Sequence, residues 1–204
     1  MSESSNITQA SVDRLRATAE ALHAIYSESF DVLAAAETAL GVATANRLRM
    51  VSNLGSIRKD LGDARLAAIS AAISGVPFEA AAERVGTLHN EGVLIDLALK
   101  RFHAFEFRDA QRALLAAKLD MLEKQHLSES ARKDAHVAGI YQSLGEAARA
   151  DGGLKVEMGG STEGLKRVLA AIRQEAEAVR EEITLHDIES RDLRVEYERQ
   201  EDKK

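Results

Sequence analysis

Cysteine and tryptophan are absent from this chain, and proline occurs once, at Pro77. Without cysteine there are no disulfides, no thiolate metal ligands and no cysteine nucleophiles. Aromatic residues make up only 4% of the chain, so a core built around large rings is not expected. A surplus of positive charge is lacking too. Against 33 acidic residues stand 27 basic ones, a net charge of −6, whereas binding to phosphate backbones requires clustered cations. No nucleic-acid partner is therefore expected. No apolar run approaches the ~20 residues of a membrane-spanning helix. The stretch MSESSNITQ has neither the basic region nor the apolar region of a signal peptide. The expectation is a soluble cytoplasmic protein with no transmembrane segment.

Alanine, glutamate, lysine, leucine and arginine together account for 106 of the 204 residues, 35 of them alanine. With helical periodicity, a share near one half marks long helices or a coiled coil. That periodicity is present. From Val12 and Leu15, steps of three and four residues run through Leu22, Tyr26, Leu33, Leu40, Leu54, Ile57 and Leu61 to Ala64 and Ala68. Only Ser29 and Arg47 misfit. Such a seam, of period 3.5, predicts a helix over about 8–73. Gly41, Gly55 and Gly62 share one heptad position beside it. They fit either a closely packed neighbour or a break, for which Asn53–Ser56 is the best place, with Ser56 as a new cap.

The chain turns around Leu66–Phe78 (LAAISAAISGVPF), thirteen residues without a charge. Gly75 suits the left-handed residue that closes a helix, and Pro77 suits the first turn of the next. A second helical segment is expected over about 77–149, with interruptions at 89–92 and 128–130. Between 93 and 107 it is apolar on more than one face (Val93, Leu94, Leu97, Phe102, Phe105, Phe107), as a helix contacted from two sides would be. The thickest part of the core is expected there. Glycine pairs bound a loop over 150–161, within which 154–158 alternates at strand period. Ser161 or Thr162 caps a last helix over about 162–199. Its seam runs from Leu165, Leu169 and Ile172 through Ala176, Val179 and Ile183 to His186, Ser190, Leu193 and Tyr197. Residues 1–7 and 201–204 are expected to be disordered or frayed, and 8–200 to form one domain.

Few chemistries fit. Glu20/His23 and Glu123/His126 have the Glu-x-x-His spacing of di-iron bundles. About 0.6 such pairs arise by chance in this composition, and no complementary carboxylates accompany them. No metal or cofactor is expected. His186 and Ser190 form a polar layer in the last seam, read either as a register-setting or pH-sensing pair or as a partly exposed layer near a fraying end. No glycine-framed serine, dinucleotide fingerprint or phosphate loop is present. The Gly159–Thr162 helix start serves as a cap before it serves as an anion site. Arg47, Arg49, Arg58, Lys59, Lys100, Arg101 and Arg108 are interleaved with acids, as on solvated faces; clustered by folding, they would meet anionic lipid.

The expected fold is all-α: an elongated antiparallel three-helix coiled-coil bundle with a helical-hairpin vertex near 74–77. Its outline is similar to that of BAR-type membrane modules and spectrin-like repeats in helix count and length alone. No motif of either is present, so no function is carried over. The expected function is non-enzymatic: a coiled-coil scaffold, assembly factor or adaptor that self-associates or binds a protein partner. The alternative is a membrane-active helical protein acting through the apolar tip 66–78 or a basic face. A metal-handling bundle enzyme is the weakest reading. For the tip, Ile69, Ile73, Val76 and Phe78 are the candidate interaction residues. The simpler expectation is that they are uncharged because the rest of the chain packs over them.

Overall fold

The structure, a computed structural model, describes residues 8–151 and 162–202. The protein is all-α. Helix α1 spans Gln9–Ile73, α2 Glu79–Phe102, a π-helical turn His103–Phe107, α3 Arg108–Asp151 and α4 Glu163–Glu201. The expected disordered N-terminus, the glycine-rich loop with its alternating stretch 154–158, the Ser161 cap and the last two residues lie outside the described residues.

The helix α1 runs unbroken through Asn53–Ser56. A Cβ added at Gly41, Gly55 or Gly62 would meet nothing within 4 Å, so no neighbour packs on that stripe. The propensity cost of each glycine, about 1 kcal/mol, is spread over a 65-residue helix whose other face is held by packing. The inward stripe follows the seam closely. Every seam position from Val12 to Ala68 is buried or half-buried except Arg47, where Asn46 turns inward instead. Arg47 lays its guanidinium over the Phe107 ring, 5.2 Å from the centroid.

By its contacts the chain divides into two units, Met1–Ala36 with Leu114–Thr184, and Glu37–Ala113 with Leu185–Lys204. In the first, the N-terminal part of α1, most of α3 and the first half of α4 form an antiparallel bundle. Its core gathers Leu122 from α3 with Ile172, Ala176 and Val179 from α4. Lys118–Glu175 and Arg180–Glu123 ion pairs flank that core at 3.1 and 2.7 Å. Ser128 is fully buried, and α3 passes through 128–130 without interruption.

In the second unit, α1 and α2 form an antiparallel hairpin, and the end of α4 lies along α2, the π turn and the start of α3. A Cβ at Gly92 would lie 3.5 Å from Ile57, and Arg58 reaches Asp96 at 3.8 Å. The interruption of the second helical segment is the π turn, while α2 continues through 89–92. The stretch 93–107 does not hold the thickest core. No residue of α2 is buried, and Val93 and Leu94 are exposed; only Ala104 and Phe107 of the π turn are buried. Apolar residues on several faces of α2 outnumber the helices available to cover them.

The vertex is closed by the chain itself. Gly75 has φ +68, Val76 N–H donates to Ala71 C=O at 3.1 Å, and Gly75 N–H to Ala72 C=O at 3.4 Å. This pair of bonds is a Schellman termination with glycine at the left-handed position. Pro77 stands before the helix rather than in its first turn: Phe78 is the N-cap residue, without a side-chain cap. Open space surrounds a Cβ at Gly75, so Gly75→Ala would meet only the backbone cost of the left-handed conformation. The expected loss is about 1 kcal/mol, read from urea unfolding followed by circular dichroism.

Candidate interaction site

The turn leaves its apolar side chains in solvent. Every residue from Ala72 to Ala80 is exposed. Ile73 is 82% exposed, Leu66 67%, Ile69 56%, Val76 54% and Phe78 46%. The expectation that this chain covers its uncharged stretch is thus overturned. The inward face of α1 here carries Ala64, Ala68 and Ala71, which sit against α2. Leu66, Ile69 and Ile73, spaced by three and four residues, share a different face of the helix. Two helices have only one mutual seam, and among the described residues no third helix lies over the remaining apolar face.

A groove of about 570 Å³ runs between the hairpin arms, with Leu54, Ile57 and Leu61 on one wall and His89, Val93 and Leu97 on the other. Gln200 near the end of α4 closes one side of it. Its charged rim is internally matched, with Asp96 between Arg58 at 3.8 Å and Lys100 at 3.0 Å. Between residues 58 and 96 stand six acids and four bases. Several of the basic residues are engaged within the fold: Arg108 pairs with Glu189 at 3.1 Å, Arg47 lies on Phe107, and Arg58 and Lys100 flank Asp96.

The π turn forms a second polar feature. Where its wider ring rejoins the α-helix, the usual backbone pattern is broken. There Arg194 from α4 donates Nε–H to the Ala104 carbonyl at 3.2 Å, pairs with Asp109 and lies 5.0 Å from the Phe105 ring centroid. Tyr197 meets the same ring edge-on. Sequence reasoning did not find this cluster, since a π turn has no residue signature. The run of three phenylalanines was the one visible sign.

Burial, reinforced by the neighbouring guanidinium groups of Arg47 and Arg108, holds the His103 imidazole below its ordinary value of 6.5. The folded protein therefore keeps His103 neutral at a pH where the unfolded chain takes up a proton. Stability should fall as pH drops below about 6.5 and be indifferent to this group above it. Urea midpoints at pH 7.5 and 5.5, for the native chain and for His103→Gln, check this: the acid-side loss should shrink in the variant.

His186 and Ser190 are not a partly exposed layer. Both are buried, each 8% exposed, and Ser190 Oγ lies 3.3 Å from His186 Nδ1, while His186 Nε2 has no hydrogen-bond partner among the described residues. Next to them, hydrogen bonds from Arg112 at 2.8 and 3.2 Å hold the Asp187 carboxyl below the usual carboxylate range.

The Glu-x-x-His pairs are not brought to a common centre. Glu20 and His23 are both exposed, and Glu123 is engaged by Arg180. The half-buried His126 lines a groove in which Arg173 and Arg180 stand among Glu123 and Glu177, with Glu123 taken up by Arg180. Among the described residues, no group of three or more histidine, aspartate or glutamate side chains could hold a metal. Among them, too, no helix is long and apolar enough to cross a membrane.

No protein-family model, curated protein or solved structure matches the chain.

Proposed function

We propose that this is a non-enzymatic cytoplasmic interaction protein of the coiled-coil class, a scaffold, assembly factor or adaptor, which self-associates and docks through the end of its α1–α2 hairpin. The observation that carries the reading is the set of large apolar side chains left open around a turn that is already closed by its own backbone bonds. A turn needs glycine and hydrogen bonds; it does not need isoleucine at Ile69 and Ile73 facing water. Contiguous exposed apolar patches of this kind mark interaction surfaces. The long periodic seams of α1 and α4 suit coiled-coil pairing.

The same tip also supports the membrane-active reading, because thirteen uncharged residues are enough to enter one leaflet although too few to span a bilayer. The acid-rich flanks favour a protein partner over an anionic lipid surface. Light scattering on the native chain and on Ile69→Asp/Ile73→Asp, with co-sedimentation on phosphatidylcholine/phosphatidylserine vesicles, tests both. A mass above that of one chain, reduced to one chain in the variant, supports docking through the hairpin. Vesicle binding lost only in the variant would favour the membrane. An assembly indifferent to the substitutions would move the interaction surface elsewhere.

A further inference from the structure

We propose that a second copy of this chain docks on the outer face of α1, the two α1 helices packing antiparallel about a two-fold axis at the level of Ile57. This rests on the reading of the protein as self-associating. About 150° round α1 from the inward seam lies a second heptad stripe, running in steps of four and three from Gly41 to Ile73. All ten of its positions are exposed, and Lys59 is its one charge. Leu48, Leu66, Ile69 and Ile73 on it are each more than half exposed, while a Cβ at Gly41, Gly55 or Gly62 would meet only open space. Glycine weakens a helix and gives a solvated face nothing in return; what it permits is the close approach of another helix.

The stripe is complementary to its own reverse. With the axis at Ile57, each Ile73 meets the partner's Gly41, each Ile69 the partner's Ala45, and each Leu48 the partner's Leu66. Nearer the axis only small residues meet, apart from Lys59, which lies over the partner's Gly55. A parallel pair would instead set isoleucine on isoleucine, glycine on glycine and Lys59 on Lys59. Charge fixes the register. Arg49 and Asp63 share one heptad position along a single edge of the stripe, and both are exposed. Rotation about Ile57 brings Arg49 within two residues of the level of the partner's Asp63, twice per dimer. On the other edge Arg58 comes level with its own copy, each turned to Asp96 of its own chain at 3.8 Å. A slide of one heptad loses the Arg49–Asp63 pairs and sets either Arg58 beside Arg65 or Lys59 against Leu48. Because the same face serves both copies, the contact is closed and stops at a dimer.

Sedimentation equilibrium of the full chain, with circular dichroism to follow helicity, tests the arrangement. The native chain should give twice the chain mass. Gly55→Leu/Gly62→Leu should keep or raise helicity, since both positions are open within one chain, and yet dissociate the dimer. Asp63→Arg should weaken the dimer about tenfold through two symmetry-related pairs, and adding Arg49→Asp should restore it. The absence of cysteine adds a second measurement. Leu48→Cys/Leu66→Cys should cross-link to a covalent dimer on oxidation. Either substitution alone should not, because each position then lies about 27 Å along the axis from its own copy. Cross-linking by a single variant, a mass above two chains or a monomeric native chain overturns the arrangement. If Ile69→Asp/Ile73→Asp dissociates the assembly while the glycine and charge variants leave it intact, the two-fold pairing is overturned and docking at the hairpin end stands. A dimer untouched by all of these overturns both.

Discussion

Leu122→Ala should lower the unfolding free energy by about 3 kcal/mol, the largest loss expected from a single substitution in this chain. Leu122 is 2% exposed and is held among Ile172, Ala176 and Val179, with Leu119, Met121 and Ile183 against the cluster. Truncation removes the transfer energy of three carbons and leaves a cavity. Its neighbour Ala176 has only a methyl group, which cannot swing into the gap. Urea unfolding monitored at 222 nm gives the value. A loss under about 1 kcal/mol would show that the helices close over the space, and would remove Leu122 from the centre of the core.

The next largest effect is expected at Arg194, where substitution by methionine should cost about 2 kcal/mol. Methionine keeps the apolar stem and roughly the length, so the change isolates the guanidinium. That group supplies the Ala104 carbonyl with a donor, pairs with Asp109 and stacks on Phe105. A hydrogen bond from a charged donor is worth about 1.5–3 kcal/mol and a cation–π contact about 0.5–1. The Asp109 pair adds little, because Asp109 is largely exposed. Asp109→Asn should accordingly cost well under 1 kcal/mol. Were Asp109→Asn as damaging as Arg194→Met, the ion pair and not the support of the π turn would be the source of stability.

The comparison between sequence and structure is clearest along α1 and α4. All ten positions of the α4 seam, from Leu165 to Tyr197, are buried or half-buried. On α1 only the Arg47 level departs from the pattern, because a long cation reaches a neighbouring ring while the shorter Asn46 turns in. Gly75 was legible because a left-handed termination admits almost no other residue. The position of Pro77 was legible only to within two residues, since the first turn of a helix and the residue before its cap both tolerate a missing N–H.

The candidate site was half legible. Ile69, Ile73, Val76 and Phe78 stand out as an uncharged run in any reading of the chain, but an uncharged run is equally the mark of a buried segment and of an open one. Which it is depends on whether another helix lies over it, and that is a property of neighbours distant in sequence. The same holds for His186 and Ser190, polar residues whose burial is decided by what packs on α4. It holds again for the π turn, whose Ala104 carbonyl accepts a hydrogen bond from Arg194, ninety residues away.

Local chemistry, then, determined the helices, the stripe each one turns inward and the reversal at Gly75, because periodicity and backbone conformation are properties of neighbouring residues. Only the tertiary structure decided that the core thickens around Leu122 and Val179 rather than around the phenylalanines of 102–107. It also decided that the hairpin end stays uncovered. Burial depends on how many helices reach a given level of the bundle, and no local pattern counts them.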